Sequence, residues 1–264
     1  MKSIVVLVDF TEGCKKSLQQ AKIIALKSGA TVSVTHVVKD SRTSQDAQAR
    51  LMEFSMTELG PEITPNAIIG EGDLIQAVAN TVAGALPDLV VLCTHGIHGI
   101  PQRLFGAHVL KLVQALPYTC LVVQENSHIE AGGIKRILFP ASPFPDFSQK
   151  MIQAARLAKV FDSEIVMYEI EKYLGNAQDD VEVNMKMAEE YFTNEKIKHI
   201  RVVEETKIMS LGYARQTMGY AHEHKLDAVC IMSGIQANDV AMLKADKESM
   251  LTNDPGIPVL SCFG

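Results

Sequence analysis

The sequence predicts an α/β protein made of two doubly wound, five-stranded parallel sheets, each of order 3-2-1-4-5 with helices on both faces. Three observations predict it. Short β-branched runs alternate with segments of helical apolar spacing along the whole chain, and that alternation is written twice. The two copies also keep register: Asp88 and Asp227 lie 139 residues apart (227 − 88), as do Leu121 and Leu260 (260 − 121).

In the first copy, Ile4–Val8 is a β-branched run. Thr11 is placed to cap a helix carrying Cys14, Leu18, Ala21 and Ala25 on one face, and Gly29 stops it. Thr31–Val38 is a second strand, and Ser44–Leu59 a helix ending at Gly60. A short third strand lies near Ala67–Ile69. Asp73 with Gln76 reads as a capping box opening a helix that Pro87 ends. Leu89–Cys93 is the fourth strand, Arg103–Leu116 the fourth helix and Thr119–Val123 the fifth strand. The polar stretch Gln124–Gly133 is a linker, which gives domains 1–126 and 134–264. In the second copy, strands fall near Ile137–Phe139, Glu164–Ile170, His199–Val203, Ala228–Met232 and Pro258–Cys262. Helical spacing marks Asp146–Phe161, Val181–Thr193 and Leu211–Lys225.

Composition narrows the function. With 25 basic against 31 acidic side chains the formal charge is −6, and no basic cluster supplies the phosphate contacts that nucleic acid binding needs. The opening apolar run ends at Asp9, too short for a secretory core or a membrane span, so a protein without membrane association is expected. Cys14, Cys93, Cys120, Cys230 and Cys262 are odd in number, lack CxxC spacing and sit mostly inside apolar runs. They read as small buried hydrophobes in a reducing cytoplasm.

In a doubly wound sheet a ligand lies beyond the carboxyl ends of the strands, where the winding reverses. Here that crevice is flanked by Asp9-Phe10-Thr11 after the first strand and by Cys93–Ala107 after the fourth. The second of these runs Cys93-Thr94-His95-Gly96, nine residues, then Gly106-Ala107 at a helix start. Glycine lets backbone amides approach phosphate, and a helix N-terminus favours an anion. The loop resembles that of the universal stress protein family, which runs Gly, two residues, Gly, nine residues, Gly, then Ser or Thr. Val8–Thr11, His36-Val37, Asp88–Val91 and Cys120–Val123 carry the resemblance through the first copy.

The resemblance implies a Rossmann-like fold of the adenine nucleotide alpha hydrolase-like type and a ligand that is ATP or another adenine nucleotide, with Mg as an optional companion. It places the Asp9 corner, with Phe10 and Thr11, and the Val37 backbone near adenine or ribose. Cys93, His95, Gly96, Gly106 and the amides of Ala107, His108 and Val109 fall around the phosphates. Two positions depart from the family pattern: Cys93 stands for the first loop glycine, and Ala107 for the hydroxyl residue. One lost charge-assisted hydrogen bond costs about 1.5–3 kcal/mol, so weak binding is expected. In the second copy the matching positions are Met232, Ile235, Ala245 and Asp246, and Phe139-Pro140-Ala141 occupies the corner of the strand-one aspartate. That copy reads as a degenerate partner.

His95 and His98 flank a glycine but have no third ligand at metal-site spacing, so no metal is assigned. No GxSxG elbow, Walker lysine or paired-carboxylate pattern occurs, so no catalytic residue is assigned, and weak ATP hydrolysis stays open. Within the family, domains pair through their fifth strands. The resemblance therefore implies an intramolecular pseudo-dimer, with homo-dimer formation and an unknown protein partner as further expectations. The alternative to nucleotide sensing is a non-nucleotide-binding interaction protein of the same fold.

Overall fold

The structure is a computed structural model, and it describes residues 1–94, 109–142, 147–171, 178–207, 212–234 and 241–264. The first half runs β1 (Ser3–Leu7), α1 (Glu12–Ser28), β2 (Thr31–Val38), α2 (Ser44–Leu59), β3 (Asn66–Glu71), α3 (Leu74–Ala85), β4 (Leu89–Thr94), α4 (Val109–Ala115) and β5 (Cys120–Gln124). The second runs β6 (Arg136–Pro140), α5 (Phe147–Phe161), β7 (Glu164–Ile170), α6 (Gln178–Asn194), β8 (His199–Glu204), α7 (Tyr213–Glu223), β9 (Ala228–Met232), α8 (Ala241–Leu251) and β10 (Val259–Cys262).

Local chemistry sets most boundaries. Thr11 is extended and its hydroxyl accepts the Cys14 N–H, while Gly29 closes α1 in the left-handed region at φ 72°. The Asp73 carboxylate accepts from the Ile75 and Gln76 amides. The other half of that predicted box does not form, because the Gln76 side chain donates forward to Asn80 Oδ1 at 2.9 Å. β3 extends beyond Ala67–Ile69 to six residues, since a parallel ladder with Ser33–Val38 holds its polar ends. Of the fourth helix, the part before Val109 lies outside the described residues. The apolar spacing does not mark α8 at all.

All ten strands form one sheet, in the order β3-β2-β1-β4-β5-β10-β9-β6-β7-β8. Each half thus keeps order 3-2-1-4-5, and the two predicted sheets are halves of a continuous one. They join where β10 pairs antiparallel with β5, Val259 opposite Val122 and Leu260 opposite Leu121. Pairing removes two apolar edges that would otherwise invite aggregation. One face is covered by α1, α2, α5 and α6, and the other by α3, α4, α7 and α8. Across the junction α1 packs on α5 and α4 on α8, so each contact joins equivalent elements.

The aspartates 139 residues apart have a structural explanation. Asp88 Oδ2 accepts from the Lys2 and Ser3 amides, and Asp227 Oδ2 from those of Lys135 and Arg136. Each ties the start of a half's first strand to the entrance of its fourth. The predicted linker is more than a tether. Gln124 Nε2 donates to Leu251 O, Asn126 Nδ2 to Asp254 O and Ser127 Oγ to Gly256 O, so its first residues are bonded to the end of α8 and the loop that follows it into β10. At its end Gly133 sits at φ 75°, where a Cβ would lie 2.2 Å from the Phe161 ring. No described helix is long and apolar enough to cross a membrane.

Candidate functional site

The reversal of winding falls between β1 and β4, as order 3-2-1-4-5 requires. Beyond the end of β1, half-buried Asp9 turns its carboxylate back onto the first turn of α1. Oδ1 accepts from the Thr11 hydroxyl at 2.6 Å, the Thr11 amide at 3.2 Å and the Cys14 thiol at 2.8 Å. The acid is held in one orientation at the crevice. Cys14 is buried and its thiol is pushed up to about 12, first by burial and then by the Asp9 charge, so it serves as a neutral donor.

Phe10 takes the left-handed conformation at φ 61°, an uncommon one for a bulky residue. Its ring meets His36 at 4.5 Å and the edge of Phe54 at 5.5 Å, under the Arg50 guanidinium at 4.2 Å. His36 Nδ1 lies 2.7 Å from the Val8 carbonyl and donates to it, which leaves Nε2 as the second ring nitrogen. Burial lowers the His36 pKa below its usual value, against the smaller opposing pull of the Val8 carbonyl. The imidazole is therefore favoured in its neutral form.

Val37 is buried among α3 side chains. The Val8 amide bonds to Thr35 O, so alternation along a parallel ladder turns the Val37 N–H and C=O to the same side, beyond the end of β1. Its backbone and Asp9 consequently face a common space. The Cys93 side chain packs on the α1 face with Cys14, and its Sγ lies 3.4 Å from Thr94 O. Burial pushes the thiol far up, in keeping with a small buried hydrophobe. The Cβ that distinguishes Cys93 from glycine is thus housed in the core. Val109 is buried at the start of α4. His95, Gly96, Gly106, Ala107 and His108 lie outside the described residues, as does His98.

His36, Arg50, Phe54 and Cys14 belong to the site surroundings, and the sequence assigns none of them to the site. Arg50 and Phe54 show only an i, i+4 spacing on a helix, and that is equally a packing signal.

The second half presents different chemistry at the corresponding place. Since β6 reaches Pro140, the corner is not Phe139–Ala141, and the counterpart of Asp9 is Ser142, two residues past the strand in each case. Buried Lys150 donates from Nζ to Pro140 O and lies 4.5 Å from the Phe139 ring centroid and 4.9 Å from that of Phe147. Asp246 is half-buried, its carboxyl pushed up by burial, and its Oδ1 is 3.4 Å from the Ala214 amide at the start of α7. Ile235 lies outside the described residues. Among the described residues no group of three or more His, Cys, Asp or Glu side chains is arranged to hold a metal.

Comparison with known proteins by sequence reaches the first half, whereas comparison by structure spans both. The family model described as "Universal stress protein family" matches residues 1–124. A universal stress protein of Archaeoglobus fulgidus DSM 4304 superposes with a TM-score of 0.69 at 12% identity, over 98% of this chain and 95% of that one. A functionally unknown protein of Pseudomonas aeruginosa PAO1 superposes with a TM-score of 0.64 at 12% identity, over 99% and 92%. The cytoplasmic domain of a prokaryotic cation chloride cotransporter does so at 0.55 and 11% identity, over 99% and 95%. At such identities the likeness is one of fold. No curated protein matches the chain. The match to the universal stress protein family model thus runs from β1 to the end of β5 and takes in the whole first half of the fold.

Proposed function

We propose that the chain is a stress-response module that senses ATP or a related adenine nucleotide through residues 1–126, with residues 134–264 as a built-in partner domain. One observation carries the reading: the Asp9 carboxylate is pinned by Thr11 and Cys14 in the space that the Val37 backbone also faces. A fixed acceptor beside a strand-end amide and carbonyl suits the hydroxyls of a ribose and the edge of a purine. Gly96, Gly106 and the amides of Ala107, His108 and Val109 would meet the phosphates, with Mg as an optional counter-ion. The second domain lacks this acceptor and has a buried lysine near its corner instead. Its part is to complete the sheet, making one chain a pseudo-dimer in the cytoplasm. The module acts by binding and not by turnover.

Releasing small molecules from purified protein by denaturation, and weighing them, tests this. An adenine nucleotide is expected from the wild type and is expected to be absent from Asp9→Ala. The crowding of Phe10, His36, Phe54 and Arg50 beside the acid favours a second reading, an interaction protein whose site no longer binds. Release of nothing from the wild type, together with no heat on ATP titration, would decide for that second reading.

A further inference from the structure

The ten-stranded sheet ends in β3 and β8, each unpaired on its outer side among the described residues, and the two edges are not alike. β3 has exposed Asn66 and Glu71 at its ends and no exposed large apolar side chain. β8 exposes Ile200 and Val203, and α6 beside it exposes Val183 and Met187. These are four of the eight large apolar side chains exposed among the described residues, and they come from two consecutive elements at one edge. A concentration of this kind on a strand edge is either a hazard or an interface.

The register of β8 identifies what would cover it. The Ile165 amide bonds to Lys198 O and the Glu171 amide to Glu204 O, so even-numbered residues face β7. Alternation turns the N–H and C=O of His199, Arg201 and Val203 outward. A second copy related by a two-fold axis normal to the sheet through Arg201 would bond these groups to their own counterparts. In that register Ile200 lies opposite Val202 of the other copy, on the face where Val202 already packs. The two pairs make a continuous apolar strip across the axis. At each end Lys198, whose 65% exposed side chain pairs with Asp162, would come opposite Glu204 of the other copy, which Tyr168, Gln216 and Lys207 already hold, so an opposite-charge pair is added to existing ones. The approach of the two Arg201 side chains at the axis is tempered, because each already lies between Glu169 at 2.7 Å and Glu182 at 2.5 Å.

We propose that β8 is a self-complementary interface through which two copies of this chain pair antiparallel, extending the sheet to twenty strands. It uses an edge distinct from the β5–β10 junction within the chain. Sedimentation of the full chain at concentrations on the order of 100 µM is expected to show a dimer, since a single-edge contact is small. Ile200→Lys should yield a monomer of unchanged circular dichroism, and Leu26→Lys, at an exposed position on α1, should leave the dimer intact. Register is read by mixing Ile200→Cys chains with Val202→Cys chains: oxidation should crosslink the mixture at least tenfold faster than either chain alone. A wild type that stays monomeric, a dimer that survives Ile200→Lys, or a mixture no faster than its components each overturns the proposal. A monomer that binds an extended peptide along β8 would also overturn it, in favour of a foreign strand.

Discussion

At the corner after its first strand, the first half places Asp9, an acid tied to Thr11 and Cys14, while the second half places Ser142, two residues past Pro140, whose carbonyl accepts from a buried Lys150. At the opposite end of the same strands the halves agree closely. Asp88 and Asp227 bond the equivalent amides, and the matching residues Leu86, which caps α3, and Lys225, just past the cap of α7, are both left-handed, at φ 46° and 53°. The amino ends of the strands therefore retain the features that build the fold, and the carboxyl ends have diverged in charge. A doubly wound sheet separates the two demands in this way, because ligands approach only the carboxyl edge.

The largest effect is expected at the junction that both halves share. Val122 is fully buried opposite Val259, so Val122→Lys leaves an uncompensated charge and should cost about 3–5 kcal/mol. Co-expressed fragments 1–128 and 129–264 should copurify without it and separate with it. Fragments that run as independent monomers in both cases would mean that the halves are merely tethered.

Next in size is the contrast between the two corners. Asp9→Ala should weaken ATP binding by about 1.5–3 kcal/mol, the cost of a charged hydrogen-bonding group, whereas Ser142→Ala should leave it unchanged. Equal losses in calorimetry would erase the difference between the halves. Smaller and opposite in sign is Ala107→Ser, which returns a hydroxyl to the phosphate loop and should tighten ATP by about 1–2 kcal/mol, roughly 5- to 30-fold. No change in a wild type that binds would place the phosphates elsewhere.

The smallest effect concerns pH. Burial depresses the His36 pKa below 6.5, so the unfolded chain takes up the proton first. The contribution of the neutral imidazole is complete above pH 6.5 and is lost as pH falls through the lower folded value. Denaturation midpoints should drop between pH 7.5 and 5.5 by more in the wild type than in His36→Gln. An identical drop would assign the acid sensitivity to other groups.

Much of this was legible in the sequence because the signals were local. Thr11, Gly29 and Asp73 terminate helices by the chemistry of single side chains, and apolar runs mark nine of the ten described strands to within one residue at each end. β3 was read short because its ends, Asn66 and Glu71, are polar and held by pairing with β2. α8 left no readable signal, since AMLKADKESML alternates charge with small residues. At the site, Asp9 and Val37 are legible, whereas His36 of β2 and Arg50 of α2 are brought to Phe10 by tertiary packing, and Cys14, in the first turn of α1, reads from its spacing only as helix core. The two sheets became one for a similar reason: the register of β5 against β10 is set by contacts 137 residues apart (259 − 122).

The central claim is that nucleotide binds at one corner of the molecule and not at its counterpart. Photocrosslinking with an azido-adenine nucleotide, followed by mapping of the modified peptide, tests it most directly. Label confined to peptides containing Asp9–Thr11 or His36–Lys39, and competed away by ATP, is the result this account predicts. Label on peptides containing Ser142, Lys150 or Met232, or equal label in both halves, would contradict it.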